Sequence, residues 1–208
     1  DLDFTDSMKN RPLCQRTCRT LGLHDEWLPV LLDWLQNILT SPLGDHSLSK
    51  IDRADRIDEI EFHFPLRSDT DLVTRLNNLG YLRSRRVPIG LDGMMTGLID
   101  LLYRHNDRYF IIDYKSNFLG SQPEDYRPER LAETMLDQHY SLQYLIYTVA
   151  VHRILKRSIA DYDYEQHFGG AHYLFLRGMD GLSNNGVYSH CPPLSLITEL
   201  DRRLGADR

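Results

Sequence analysis

The segment GLIDLLYRHNDRYFIIDYK, residues 97–115, decides the fold of this chain. Two apolar runs, 97–103 and 108–115, are separated by a short polar HND turn, a pattern that predicts a β-hairpin. Asp100 lies inside the first run and Asp113 inside the second. A carboxylate among apolar strand residues is costly unless it is paired, hydrogen-bonded or bound to a metal. We therefore expect chemistry at this hairpin.

Lys115 follows Asp113 by two residues, so both side chains should point to the same face of the strand. Two carboxylates that converge across a hairpin supply the hard oxygen ligands that Mg²⁺ or Mn²⁺ prefers. A cationic side chain beside them can orient an attacking water and stabilise charge on a phosphate. An Asp-x-Lys pair alone is more often a simple ion pair on a hairpin edge, but the second aspartate, Asp100, favours the catalytic interpretation.

The segments around the hairpin predict helices and further strands. Helical patterns cover 11–40, 71–79, 129–155 and 195–204, and strand patterns cover 59–66 and 171–177. The first helical region is amphipathic, with an apolar stripe made by Trp27, Val30, Leu31, Trp34, Leu35 and Ile38. This order of elements predicts a mixed α/β domain with a central sheet flanked by helices.

Composition limits the classes of function. The 24 Lys and Arg residues against 30 Asp and Glu give a net charge of −6, which argues against capture of nucleic acid by bulk electrostatics. A nucleic-acid substrate would then be delivered by another component. No apolar stretch reaches membrane-spanning length, so no membrane association is expected. Cys14, Cys18 and Cys191 are too few for a disulfide framework or an iron–sulfur cluster and favour a reducing cytoplasm.

The motifs resemble those of a known family. Gly-x-Ile-Asp ending at Asp100, followed by Asp-Tyr-Lys at 113–115, resembles the core of the PD-(D/E)XK, restriction-endonuclease-like nucleases. The match is closer still to the RecB branch, which adds a Gln-x-x-x-Tyr motif, found here as Gln143 and Tyr147. The resemblance covers most of the chain and is densest over 97–178. It implies a restriction-endonuclease-like fold.

The resemblance also implies roles for individual residues. Asp100 and Asp113 would ligate Mg²⁺, for which Mn²⁺ or Ca²⁺ can substitute, and the backbone carbonyl of Tyr114 would add a ligand. Lys115 would act on the attacking water.

Further positions would support that centre. Gln143 and Tyr147, one helical turn apart, would organise the site. Glu59 matches a supporting acidic position of the family, and Glu61 is the alternative if the strand register differs by one side-chain pair.

One family feature is not found among these residues. The family carries a metal-ligating histidine near the start of its nuclease domain, and the nearest candidate, His24 in Leu-His-Asp-Glu, does not match its context. We expect that histidine upstream of Asp1, in which case the isolated chain would bind metal weakly and be weakly active or inactive.

The resemblance implies a nuclease domain that cuts DNA as helicase motors unwind it. Its expected partners are DNA, the helicase part of a longer chain, RecC- and RecD-type subunits and a recombinase. We expect one domain over 1–208, with a mainly helical lead-in at 1–58, a nuclease core at 59–178 and a C-terminal tail and helix at 179–208. Two alternatives remain open, namely a free-standing exonuclease of the same branch and a non-catalytic module that binds DNA or docks subunits.

Overall fold

The structure, a computed structural model, describes residues 2–66, 70–83 and 93–204. Its centre is a five-stranded mixed sheet in the order β1-β2-β3-β4-β5. The strands are β1 Arg56–Leu66, β2 Gly93–His105, β3 Arg108–Lys115, β4 Phe168–Phe175 and β5 Val187–His190. The helices are α1 Arg11–Thr20, α2 Trp27–Thr40, α3 Thr70–Asn78, α4 Pro128–Asp137, α5 Tyr140–Ser158, α6 Tyr164–His167 and α7 Leu194–Arg203. The predicted mixed sheet flanked by helices is confirmed.

The predicted hairpin is formed by β2 and β3. Its loop has two residues, Asn106 and Asp107, with φ angles of 48° and 59°. Two successive residues in the left-handed region make the primed type of turn that matches the twist of hairpin strands, and Asn and Asp tolerate that region better than most residues. His105 is the last residue of β2 rather than part of the loop.

Strands β2 and β3 separate at the end of the hairpin that lies away from its turn, and we call this point the fork of the hairpin. The antiparallel pairing of β2 with β3 stops at Leu101–Ile112, whereas the parallel pairing of β3 with β4, which begins at Tyr109–Phe168, continues to Lys115–Phe175. The next register position after Leu101–Ile112 would join Asp100 to Asp113. Both predicted carboxylates therefore stand where the two strands separate.

A local distortion accompanies this fork. Glu59 of β1 lies across from Asp100 and has a φ of 58°, which is uncommon for a residue with a side chain. On β2, Ile99 packs into one hydrophobic core and Leu101 into the other, although strict alternation would place both on one face. The regular alternation of side chains between the two faces of the sheet is therefore interrupted at Asp100.

Two cores cover the two faces of the sheet. Ile111 of β3 packs with apolar residues of α3, α4, α5 and α7, whereas its neighbour Ile112 packs with α2 and the N-terminal segment. Asp113 and Lys115 alternate with Ile112 along β3 and so share the face of Ile111 and α5.

Two predicted helices are interrupted. The pattern over 129–155 predicts one helix, but the chain turns between α4 and α5 at His139, whose φ of 58° is left-handed. A left-handed residue cannot continue a right-handed helix, so α5 restarts at Tyr140 with a new direction. The region 11–40 is likewise divided, at a turn where Gly22 has a φ of 69°.

The apolar stripe of α2 is only partly used for packing. Leu28, Ile38 and Leu39 are the buried residues of this helix. Trp27 and Val30, which belong to the predicted stripe, remain 50% and 53% exposed. The buried face of α2 therefore overlaps the predicted apolar stripe only in part.

The C-terminal region contains a strand that the sequence pattern did not predict. β5 pairs antiparallel with β4, from Ala171–His190 to Leu174–Val187, and closes that side of the sheet. Among the described helices none is both long enough and apolar enough to cross a bilayer.

Candidate active site at the fork of the hairpin

Asp113 is a carboxylate in a mostly apolar environment. It is 3% exposed, and its Oδ2 lies 2.5 Å from Nζ of Lys115. Oδ2 is buried, and this contact with the Lys115 ammonium is its one polar contact among the described residues. Burial raises the pKa of Asp113 to about 6, Lys115 opposes the shift, and the charge of Asp100 adds to it. The raised pKa indicates that Lys115 offsets only part of the cost of burying this carboxylate.

Asp100 reaches across the gap between the two strands. Its Oδ2 accepts a hydrogen bond of 2.8 Å from the backbone amide of Tyr114, the residue between Asp113 and Lys115. The carboxylate thereby replaces a strand partner that the amide has lost where the ladder ends. The structure brings both predicted metal-ligating carboxylates to one place.

Lys115 is held by an enclosed polar network. Its Nζ donates a hydrogen bond of 3.0 Å to Oε1 of Gln143, and only 12% of its side chain is exposed. The same Oε1 accepts a hydrogen bond of 3.1 Å from the hydroxyl of Tyr173, and Nε2 of Gln143 donates one of 2.8 Å to the hydroxyl of Tyr147. Gln143 therefore connects the cation on β3 with two tyrosines on α5 and β4.

Aromatic rings surround the ammonium group. Nζ of Lys115 lies 4.0 Å from the ring centroid of Tyr140 and 5.1 Å from that of Tyr173, close enough for cation–π attraction. Sequence reasoning missed both tyrosines. Tyr140 is the first residue of α5, so the break at His139 is what brings its ring over Lys115.

Tyr147 lies near both carboxylates. Burial raises its pKa, the hydrogen bond from Gln143 opposes this, and the charges of Asp113 and Asp100 raise it further. Its ring also meets Phe62 of β1 edge-on, with centroids 5.6 Å apart. Tyr147 is therefore a neutral hydroxyl near neutral pH, fixed by both packing and hydrogen bonding.

The remaining predicted positions are placed differently. Glu59 is exposed and lies across from Asp100, and no described residue donates a hydrogen bond to it. Glu61 is exposed and lies 3.6 Å from Nε2 of His63. At Tyr114, the backbone amide joins the site through Asp100, while the side chain packs into the core on the opposite face.

The carboxylate donor set fits a divalent cation. Asp113 contributes a buried carboxylate that has Lys115 as its cationic partner, and Asp100 contributes a partly buried carboxylate whose charge acts on it. Oxygen ligands with few surrounding nitrogen or sulfur donors suit Mg²⁺ or Mn²⁺ better than softer metals.

A second group of ligand-type atoms lies elsewhere. Asp45, His46 and His105 bring a carboxylate oxygen and two ring nitrogens within 4.8 Å of one another, at the turn end of the hairpin. The rings of His46 and His105 stack 4.2 Å apart at 22°, so their lone pairs run nearly parallel instead of converging. His46 is instead satisfied by Asp45 and by the hydroxyl of Tyr103, 3.0 and 2.7 Å away. This cluster is separate from the carboxylate site.

The fold and the site together define the class of protein. The profile of the PD-(D/E)XK nuclease superfamily matches residues 15–191, and the chain belongs to this superfamily. Within it, the chain is 42% identical over 205 residues to the RecBCD enzyme subunit RecB of Haemophilus influenzae, a match that covers 95% of this chain and 17% of that protein. It is 38% identical over 210 residues to the Escherichia coli RecB subunit, with 97% and 18% covered. The RecB subunit of Mycobacterium tuberculosis strain H37Rv is 34% identical over 221 residues, with 89% and 20% covered.

These matches cover nearly all of this chain but only a small part of each relative. The chain spans at most one fifth of the length of the relatives named here. The similarity therefore concerns the nuclease unit of these proteins, which is the part that carries the hairpin site.

Proposed function

We propose that this chain is the nuclease unit of a RecB-type helicase–nuclease and hydrolyses phosphodiester bonds of unwound DNA with Mg²⁺, as in exodeoxyribonuclease V. One observation carries the proposal: Asp113 is buried with Lys115 as its one cationic partner among the described residues, and Asp100, bonded to the neighbouring Tyr114 amide, adds a second negative charge beside it. One ammonium group does not neutralise two carboxylates, so the pair favours binding of a divalent cation.

In the proposed reaction, Asp100 and Asp113 hold the divalent cation. The bound cation would lower the pKa of a water molecule and stabilise negative charge on the phosphate that is attacked. Asp100 is kept in place by the amide of Tyr114, and Asp113 by the strand itself. The two carboxylates are therefore positioned before a cation arrives.

Lys115 is proposed to orient the attacking water and to donate a hydrogen bond to a non-bridging phosphate oxygen. Its ammonium is held between Asp113 and Gln143, so it needs little rearrangement when the substrate binds. Gln143 is proposed as a positioning residue, since it contacts Lys115 and two tyrosines rather than the expected place of the phosphate. Tyr147 and Tyr173 fix the Gln143 amide.

The acidic balance of the chain supports delivery of the DNA by other components. A net charge of −6 favours a domain that receives a strand from helicase motors over one that searches for DNA alone. We propose the helicase part of a longer chain and RecC- and RecD-type subunits as partners, a recombinase as a further partner, and the cytoplasm as the location. The names of the similar RecB subunits support this context.

The test is cleavage of end-labelled single-stranded DNA with and without Mg²⁺, together with the Mg²⁺-dependent rise in melting temperature. We expect Asp113→Ala to abolish both cleavage and the metal-dependent stabilisation. Asp161→Ala, which removes an exposed aspartate from a loop, is the matched control and should behave like the original chain. The assay is run on this chain and on a version extended upstream to restore the expected histidine. A folded, extended chain that neither cuts DNA nor is stabilised by Mg²⁺ would contradict the proposal and favour the non-catalytic DNA-binding or docking role.

A further inference from the structure

The loop that follows Lys115 displays a large aromatic side chain to solvent. Phe118 is 69% exposed, three residues after the catalytic lysine. Burial of a phenylalanine ring is worth roughly 2 kcal/mol or more, so a ring left this exposed contributes little to the fold.

The backbone on both sides of Phe118 is nevertheless fixed. Nε of Arg177 donates a hydrogen bond of 2.9 Å to the carbonyl of Ser116, and the amide of Leu119 donates one of 3.1 Å to the hydroxyl of Tyr126, which is buried. Gly120 continues the loop with a φ of 153°, and a Cβ there would lie 1.9 Å from Oδ2 of Asp125. The exposed ring therefore stands on a rigid support.

This loop is continuous with the candidate active site. The hydroxyl of Tyr140 donates a hydrogen bond of 3.3 Å to Oδ1 of Asn117, and the ring of the same tyrosine lies 4.0 Å from Nζ of Lys115. One side chain thus contacts both the catalytic lysine and the residue before Phe118.

An open groove of about 420 Å³ lies beside the ring. Its lining includes Asn37, Phe118, Gln122, Pro123, Tyr126 and Arg177. Arg177 is exposed and is anchored through Nε, which leaves its terminal nitrogens without a described partner. Asp180 also lines the groove, but its oxygens accept hydrogen bonds from Leu182 and Ser183 in its own turn.

Helix α2 contributes Asn37 to the lining of the groove. Trp34, one turn before Asn37, donates a hydrogen bond of 2.9 Å from its indole nitrogen to the carbonyl of Leu176, next to Arg177. Its side chain is 39% exposed. The groove therefore joins an aromatic ring, an arginine and polar side chains on an ordered frame.

We propose that this groove binds the single strand of DNA next to the scissile phosphate, with Phe118 stacked on an unpaired base and Arg177 in contact with a backbone phosphate. The proposal rests on the nuclease function above and adds a binding subsite to it. Aromatic stacking beside a cationic group is how proteins hold single strands without reading their sequence, because every base presents a π face. In a duplex the bases are stacked on each other, so the ring selects for an unwound strand.

The test compares a short oligonucleotide that carries all its bases with a series of abasic oligonucleotides. Each abasic oligonucleotide lacks the base at one position, and every phosphate is kept. Binding is measured by fluorescence anisotropy on the Asp113→Ala background, so that no cleavage occurs. We expect base removal at one position to weaken binding about tenfold with Phe118 present, and to have little effect with Phe118→Ala. Phe118→Trp should retain the base dependence.

Ile57→Ala is the matched control, because Ile57 is an exposed apolar residue (58%) on β1, away from the groove. It should leave binding of all these oligonucleotides unchanged. Loss of affinity in Phe118→Ala that is equal for the normal and abasic strands would mean a structural role and would overturn the inference.

Failure of the inference and failure of the proposed function give different results. If the unmutated chain cleaves DNA but Phe118→Ala keeps the full base dependence, the stacking subsite is wrong and the nuclease function stands. If a folded chain extended upstream to restore the expected histidine neither binds nor cleaves single-stranded DNA, both are wrong.

Discussion

The backbone amide of Tyr114 donates a hydrogen bond to Oδ2 of Asp100, 2.8 Å away, just where the ladder between β2 and β3 ends. A side-chain oxygen here takes the place of a strand carbonyl. The carboxylate of one strand is thereby tied to the backbone beside the carboxylate of the other. The two acidic groups are held together despite their repulsion, which is a cost that binding of a cation would offset.

This bond predicts different outcomes for two substitutions of Asp100. Asp100→Asn keeps a carbonyl acceptor for the Tyr114 amide, so the free energy of unfolding should change little, while cleavage should fall by about 100-fold or more because the metal loses an anionic ligand. Asp100→Ala removes the acceptor as well and should cost an additional 1–3 kcal/mol, roughly the penalty of an unsatisfied buried amide. Urea denaturation and cleavage assays on both variants test this. Equal stability of the two variants would contradict the role of the bond.

Mg²⁺ binding should depend on the protonation of Asp113. Its pKa in the folded, metal-free protein is raised to about 6, so the protonated carboxyl favours folding: that stability is complete below pH about 4 and is lost as pH rises through 6. Because a ligand carboxyl must give up its proton, the affinity for Mg²⁺ should fall about tenfold for each pH unit below 6. Calorimetric titration at pH 5, 6, 7 and 8 measures this. The same affinity at pH 5 and pH 7 would show that Asp113 is not a ligand.

The amide of Gln143 should matter more than the hydroxyl of Tyr147. Gln143→Ala leaves Lys115 and the hydroxyls of Tyr173 and Tyr147 without their common partner, so kcat should fall about 10- to 100-fold with a smaller change in KM. Tyr147→Phe keeps the edge-on contact with Phe62 and should reduce kcat only severalfold. Steady-state kinetics of the two variants distinguish the roles, and Gln143→Glu tests whether an acceptor for Lys115 is sufficient. A Tyr147→Phe defect as large as that of Gln143→Ala would place the hydroxyl nearer the chemistry than we propose.

His172 should make the fold sensitive to acid. Burial lowers its pKa to about 3, with a smaller contribution from His46, so the folded state keeps the ring neutral while the unfolded chain takes up a proton below pH about 6.5. Stability is therefore lost as pH falls from 6.5 toward 3, by roughly 2 kcal/mol at pH 5. His172→Asn retains a polar group for Ser189, 2.6 Å from Nδ1, and should lessen this loss. Denaturation at pH 7 and pH 5 checks it, with exposed His24→Asn as the control, and identical pH profiles would refute it.

The parts of the structure that follow from local pattern were predictable from the sequence. The hairpin follows from two apolar runs around a polar turn, and the convergence of Asp100 and Asp113 follows from the hairpin. The placement of Gln143 and Tyr147 on one helix face follows from their spacing. These features depend on residues close together in the chain, so periodicity is enough to locate them.

The features that sequence reasoning missed depend on backbone geometry or on contacts between residues far apart in the chain. The apolar spacing continues from Leu131 into α5, and no side-chain pattern reports that His139 adopts a left-handed φ. Tyr140 and Tyr173 meet at Lys115 only because β3 pairs with β4 and α5 crosses their face. The exposed stripe on α2 shows the same limit, since periodicity locates an apolar face but not which part of it meets the sheet.

The parallel pairing of β3 with β4 also bears on when the site forms during folding. The hairpin is a local structure with a two-residue turn, and such hairpins close in microseconds. Pairing of Ile111 with Ala171 closes a long loop of chain, and the entropic cost of that closure makes it slower than hairpin formation. The two carboxylates should therefore meet early, whereas the aromatic enclosure of Lys115 is completed only when β4 docks. A partly folded or newly synthesised chain would already hold its acidic groups together yet lack the positioned lysine, and so would lack the arrangement that the proposed nuclease reaction requires.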